Sequence, residues 1–260
     1  RDRAVLGMLQ DAIKKGVLTS ESVLIEATSG NTGIALAMLG AVYKIPVVII
    51  MPETMSVERR QLVRAYGAKL VLTPGSKGMQ GAMDKMQEML NENSNYVSLQ
   101  QFSNPSNPAI HYETTGKEIM EQLPDVDIFV ACVGSGGTFS GVSKRLKEYN
   151  SSIRCVAGEP RTSAVLSGQK AGPHKIQGIG ANFIPANFDN TYCDDIMLVD
   201  EEEAITETKR FAKETGILVG ISSGANIALA RRLARYYPNS KIVTIAPDGG
   251  EKYLSVLEFD

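Results

Sequence analysis

Two short stretches carry the residue types that could do chemistry: Thr28-Ser29-Gly30-Asn31-Thr32-Gly33 and Gly134-Ser135-Gly136-Gly137-Thr138. Each is a polar, glycine-rich turn between an apolar run and a helical pattern. Backbone N–H groups at a helix N-terminus, reinforced by the helix dipole, attract anions. In the first stretch Thr28, Ser29 and Thr32 add hydroxyls and Asn31 an amide, but no ammonium is offered. Neutral donors of this kind suit a small carboxylate. Gly30 and Gly33 are expected to permit backbone shapes or close approaches that a side chain would block. A plain helix N-cap with a glycine turn accounts for the same residues.

The second stretch has the strand, glycine turn, helix arrangement that cradles phosphate. It is not the dinucleotide fingerprint, which would need glycine at Phe139, and no Gly-Lys-Ser/Thr follows as in a Walker loop. A single phosphate fits it better than a pyrophosphate or a triphosphate, and a tight strand-to-helix turn without a ligand remains the alternative. Together the two turns suit a phosphorylated cofactor held beside an amino acid.

The elements that must position these turns alternate between strand and helix. Strands are expected at Ser22–Ala27, Pro46–Met51, Lys69–Thr73, Tyr96–Ser98, Ile128–Val133, Ser152–Gly158, Ile196–Val199 and Lys241–Ala246. Helices are expected at Val5–Lys15, Asn31–Tyr43, from a Ser56 cap to Tyr66, at Met79–Glu92, Ile110–Leu123, Ser140–Tyr149, Glu201–Thr215 and Gly224–Arg235. The stretch from Pro160 to about Asn190 is irregular. The alternation implies an α/β fold of two lobes, each a mostly parallel sheet covered by helices, with the active site in the cleft between them. The expected division is 1–108, a small lobe with the carboxylate turn, and 109–260, a large lobe with the phosphate turn.

Composition narrows the classes of function. Of 260 residues 43% are hydrophobic and 22% charged, ordinary for a soluble globular protein, and the formal net charge is −2. Without a long basic run, neither nucleic acid nor an anionic membrane surface is expected as partner. No apolar run is long enough for a membrane span, and no secretory signal opens the chain. Cys132, Cys155 and Cys193 fit no zinc spacing and no disulfide framework, so they read as structural residues in a reducing cytoplasm. His111 and His174 are too few and too far apart for a histidine metal site, and no metal is expected.

Five blocks in order carry a family resemblance: MPETMSVERRQLVRAYGAKLVLTPGSKGMQGAM (Met51–Met83), QQFSNPSNPAIHYETTGKEI (Gln100–Ile119), GSGGTFSGV (Gly134–Val142), KIQGIGANFIP (Lys175–Pro185) and VGISSGAN (Val219–Asn226). With the two turns, they make the chain resemble the cysteine synthase (O-acetylserine sulfhydrylase) family over essentially its whole length. That family uses pyridoxal 5′-phosphate on fold type II, the tryptophan synthase β-like fold. The resemblance implies that Asn31 binds the ring hydroxyl, that Gly134, Ser135, Gly136, Gly137 and Thr138 cup the phosphate, and that Ser222 faces the ring nitrogen. It implies that Thr28, Ser29, Thr32 and Gln101 bind the substrate α-carboxylate and that Gly178 lines the mouth of the site. Ser222 and Ser223 also read as caps of the helix from Gly224, one capping while the other binds.

The implied activity is β-replacement, making L-cysteine from O-acetylserine and sulfide by way of α-aminoacrylate. Cystathionine or lanthionine synthesis and cysteine desulfuration share the same loops, with Met79 and Gly178–Phe183 expected to discriminate. A non-catalytic pyridoxal-phosphate or amino-acid binder is the alternative of another class. The family's imine lysine precedes an Asp-Arg pair. Asp2-Arg3 match that pair and Arg1 stands at the lysine position, so the N-terminal part of the family fold is expected to be missing. Arginine cannot serve as this nucleophile, because its guanidinium stays protonated. A boundary of the chain or a replaced lysine would each explain it. A homodimer is expected by analogy.

Overall fold

The structure, a computed structural model, describes residues 2–28 and 30–257. The chain divides into two compact units, Arg1–Asn104 and Pro105–Asp260. The division lies ahead of the one expected after Pro108, because the residues following Asn104 already pack on the second unit. A side chain at Gly141 would collide with the Pro108 carbonyl and sit 2.8 Å from His111 Cβ, so these backbones lie close together.

In the first unit the order is α1 (Asp2–Lys14), β1 (Val23–Ala27), α2 (Asn31–Tyr43), β2 (Val47–Pro52), α3 (Val57–Ala65), β3 (Lys69–Thr73), α4 (Gly78–Glu92) and β4 (Tyr96–Val97). The strands form one parallel sheet in the order β3-β2-β1-β4. Alternation along β1 sends Leu24 into a core shared with α1 and α2, and sends Ile25 and Ala27 into a core shared with α4. No side-chain cap bond forms at Ser56, the residue before α3, contrary to the capping expected of it.

The second unit opens with α5 (Ser106–Ile110), a π-helical stretch at His111–Gly116 and α6 (Lys117–Gln122), where one regular helix was expected over Ile110–Leu123. Then follow β5 (Ile128–Cys132), α7 (Gly137–Tyr149), β6 (Arg154–Pro160), an irregular stretch, β7 (Asp195–Val199), α8 (Glu201–Thr215), α9 (Ile221–Tyr236) and β8 (Ile242–Thr244). This sheet is also parallel, in the order β7-β6-β5-β8. One of its faces packs on α8 and α9 and the other on α7. Three helices begin a turn earlier than expected: α1 at Asp2 instead of Val5, α7 at Gly137 instead of Ser140, and α9 at Ile221 instead of Gly224.

The strand orders carry the functional consequence. In each sheet the chain runs outward on one side of a central strand and later returns to its other side. The reversal falls between β1 and β4 in the first unit and between β5 and β8 in the second. Loops leaving the carboxyl ends of strands on either side of such a reversal diverge and leave a crevice, which is where open α/β sheets bind ligands. Among the described residues no helix is long and apolar enough to cross a membrane, and no group of His, Cys, Asp and Glu could hold a metal ion.

Candidate active site

At the reversal in the first sheet, β1 leads into the Thr28 turn and β4 into the segment carrying Gln101. Thr28 extends the β1–β2 ladder through its N–H to Ile50 O at 3.0 Å, and its Oγ1 accepts the Gly30 N–H at 3.1 Å. Asn31 and Thr32 open α2 and are buried. Thr32 Oγ1 donates to Gln101 Oε1 at 2.8 Å, joining the two sides of the reversal. Gly33 meets the expectation of close approach: a Cβ there would lie 2.8 Å from Thr28 Cγ2 and 3.1 Å from Ile49 Cγ2. Gly30 does not. Its φ is −132° and no atom lies within 4 Å of a Cβ placed on it, so neither backbone shape nor space demands glycine there. Ser29 lies outside the described residues, as does Arg1.

Glu26, one residue before the end of β1, was missed by the sequence reading. It is only 5% exposed, and Ser98 Oγ donates to its carboxylate at 3.2 Å. Burial pushes its carboxyl up to about 7, against the opposing effect of bonds from Ser98 and from the Leu99 and Gln100 N–H groups.

At the reversal in the second sheet, β5 leads into Gly134–Thr138. Gly136 has φ +88°, the left-handed region where glycine is favoured, and it precedes α7 without a side-chain cap. A Cβ on Gly136 would lie 2.7 Å from Phe188 N, and one on Gly137 would run into Asn107 Oδ1. Both glycines therefore let the backbone form a tight cradle over the first turn of α7. The hydroxyls of the cradle are oriented from behind. Asn107 Nδ2 donates to Ser135 Oγ at 2.8 Å, which leaves the serine proton for a ligand. Thr138 Oγ1 lies 3.2 Å from His111 Nε2, and His111 Nδ1 lies 2.9 Å from Thr115 Oγ1. His111 thus bridges the Thr138 and Thr115 hydroxyls through its two ring nitrogens. Asn107 and His111 stand four residues apart, where α5 passes into the π-helical stretch.

Ser222 lies in the first turn of α9 and is 1% exposed. It does not cap a helix from Gly224, since Gly220 holds the N-cap position. Nor does Ser223, whose Oγ reaches Asp248 O at 3.4 Å. One turn beyond Ser222, Asn226 spans the reversal itself: its Oδ1 accepts the Cys132 N–H and its Nδ2 donates to Ile245 O, each at 2.7 Å. Gly180 N–H donates to Val133 O at 2.9 Å, which ties the segment containing Gly178 (φ +98°) to the start of the cradle.

The donor set fits pyridoxal phosphate. An uncapped helix start under two side-chain-free residues, with the Ser135 and Thr138 hydroxyls beside it and no cation in the loop, matches one phosphate. A buried serine, Ser222, in the first turn of α9 offers a neutral donor.

The family model described as pyridoxal-phosphate dependent enzyme matches residues 1–248. The chain belongs to that family. Within it, the chain is 50% identical to cysteine synthase A of Escherichia coli (strain K12), over 97% of this chain and 82% of that one. A crystal structure of cysteine synthase from Entamoeba histolytica is similar with a TM-score of 0.94 and 44% identity, covering 98% of this chain and 76% of that one. An O-acetylserine dependent cystathionine beta-synthase from Helicobacter pylori is similar with a TM-score of 0.91 and 40% identity, covering 97% and 84%. The identity over nearly the whole chain places it among the cysteine synthases of fold type II, whose cofactor is pyridoxal 5′-phosphate.

Proposed function

We propose that the chain catalyses β-replacement on an activated serine, forming L-cysteine from O-acetylserine and sulfide. The observation that carries this reading is the pair of cation-free donor clusters, each at the reversal point of its own sheet. When bound, pyridoxal phosphate supplies an electron sink for the substrate Cα. The N–H groups at the start of α7 and the hydroxyls of Ser135 and Thr138 hold its phosphate, with Gly134, Gly136 and Gly137 giving the backbone access. Asn31 binds the ring hydroxyl. Ser222 donates to the ring nitrogen without protonating it, which tempers the sink and favours β-elimination over transamination. Thr28, Ser29, Thr32 and Gln101 orient the substrate carboxylate in the first unit, and Gly178 lines the mouth in the second.

The test is spectroscopic. In a protein carrying a lysine at the Arg1 position, added pyridoxal phosphate is expected to bind, to change its absorbance on addition of O-acetylserine, and to return on addition of sulfide with release of L-cysteine. A protein that ignores the cofactor, or a bound cofactor indifferent to O-acetylserine, overturns the proposal. The similarity to the Helicobacter pylori enzyme favours a second reading in which a thiol amino acid replaces sulfide. Comparing sulfide with homocysteine as acceptor separates the two. The chain is further read as cytoplasmic, supported by three free cysteines, and as a homodimer by analogy with its family. Light scattering on the purified protein tests the latter.

A further inference from the structure

Glu26 stands where the β1–β4 ladder stops. The register pairs Val23 with Tyr96 and Leu24 with Val97, and no further. Beyond Val97 the chain turns away, and the Glu26 carboxylate accepts from Ser98 Oγ at 3.2 Å, while Ser98 Oγ in turn accepts the Gln100 N–H at 3.3 Å, so the carboxylate holds the turn through the serine. Gln100 has φ +54°, in the left-handed region that a non-glycine residue adopts at a cost. The next residue is Gln101, whose Oε1 accepts from Thr32. Asn104 N–H to Gln100 O at 2.9 Å and Asn104 Nδ2 to Leu99 O at 2.8 Å close the turn from its far side.

We propose that Glu26 is a positioning residue, whose ionised carboxylate stands in for a missing strand and fixes the 98–101 turn in the strained shape that brings Gln101 to Thr32. Resting on the proposed function, this makes Glu26 the support of the amino-acid carboxylate pocket without touching the substrate. Its charge is exposed to few others. β2 carries no titratable group, α2 only Tyr43 at its far end, and β4 only Tyr96. On the face shared with Glu26, α1 carries Asp2, Arg3, Asp11 and Lys14; Asp11 pairs with Lys15 at 2.7 Å. On the opposite face α4 carries Asp84, Lys85, Glu88 and Glu92. Since burial brings Glu26 close to neutrality in its ionisation, the turn is set to loosen as the pH falls through about 7.

The test is amide hydrogen exchange at Leu99 and Gln100, corrected for the intrinsic pH dependence, in the natural chain and in Glu26→Gln. The natural chain is expected to lose protection at these two amides as the pH drops from 8 to 6. Glu26→Gln, which sets an NH2 against the same donors, is expected to lack that protection at both values. Steady-state kinetics are expected to show a KM for O-acetylserine raised about tenfold, as for loss of a charge-assisted contact, with kcat and cofactor affinity near those of the natural chain. Protection equal in the two proteins and independent of pH overturns the anchoring. Lost protection with unchanged KM overturns the positioning role. The exchange measurement needs no turnover, so failure of the proposed activity and failure of this inference give different results.

Discussion

The Thr32 hydroxyl, donated to the Gln101 side-chain oxygen, joins the two sides of the first sheet's reversal. Replacing Thr32 by valine keeps the shape of α2 and removes that donor. The expected result is a substrate KM raised about tenfold and stability lowered by about 1–2 kcal/mol, the range for a buried acceptor losing its partner. Denaturant midpoints and initial rates check both. Gly136→Ala forces a Cβ into the left-handed region and toward Phe188 N at 2.7 Å. It is expected to lower stability by about 1–3 kcal/mol, and equilibrium dialysis is expected to show weakened pyridoxal-phosphate binding. Glu26 has a signed dependence of its own. Its folded pKa of about 7 stands above the ordinary 4.5, so folding favours the protonated form. That contribution is full below pH 4.5 and is lost as the pH rises to about 7, a change of about 3 kcal/mol. Glu26→Gln is therefore expected to match the natural chain at pH 5 and exceed it in urea resistance at pH 8. A residue that supports a pocket at the expense of stability shows this opposition between midpoint and KM.

Elements show where sequence and structure part. The apolar strands, the two glycine turns and most helices were legible, because buried parallel strands read as continuous Val and Ile runs bounded by turn residues. The starts of α7 and α9 were not. Gly137-Thr138 and Ser222-Ser223 look like loop or cap residues, yet they stand in the first helical turn, where Thr138 meets His111 and Ser223 reaches Asp248 O. The π-helical stretch was hidden too, since one widened turn leaves the apolar pattern intact. Glu26, Asn107 and Asn226 gave no spacing signal at all. Each is a single polar residue whose meaning depends on strand order, which the pattern of one chain does not contain. Asn226 makes the clearest case. Asn226→Ala leaves the Cys132 N–H and the Ile245 carbonyl without their partner across the reversal. The loss is expected to cost about 2–4 kcal/mol, read as a lower thermal midpoint.

At the scale of the molecule, all three cysteines belong to the second unit, so thiol chemistry reports on that unit alone. Burial pushes Cys132 up to about 12 and Cys155 up to about 11. Cys193 is half-buried and is also pushed up, by partial burial. With a thiol reagent at pH 8, one equivalent is expected to react in the native protein and the remaining two only on unfolding. Three fast thiols would show that the second unit's core is open. The same unit sets a schedule for its own assembly. β5 needs β8 as its neighbour, and Thr244 Oγ1 bonds to Val130 O across 114 residues of chain. During synthesis the Ile128–Cys132 edge is complete long before its partner leaves the ribosome. Until then a wholly apolar strand stands with one side unpaired, which makes the nascent chain a substrate for chaperones and a seed for aggregation.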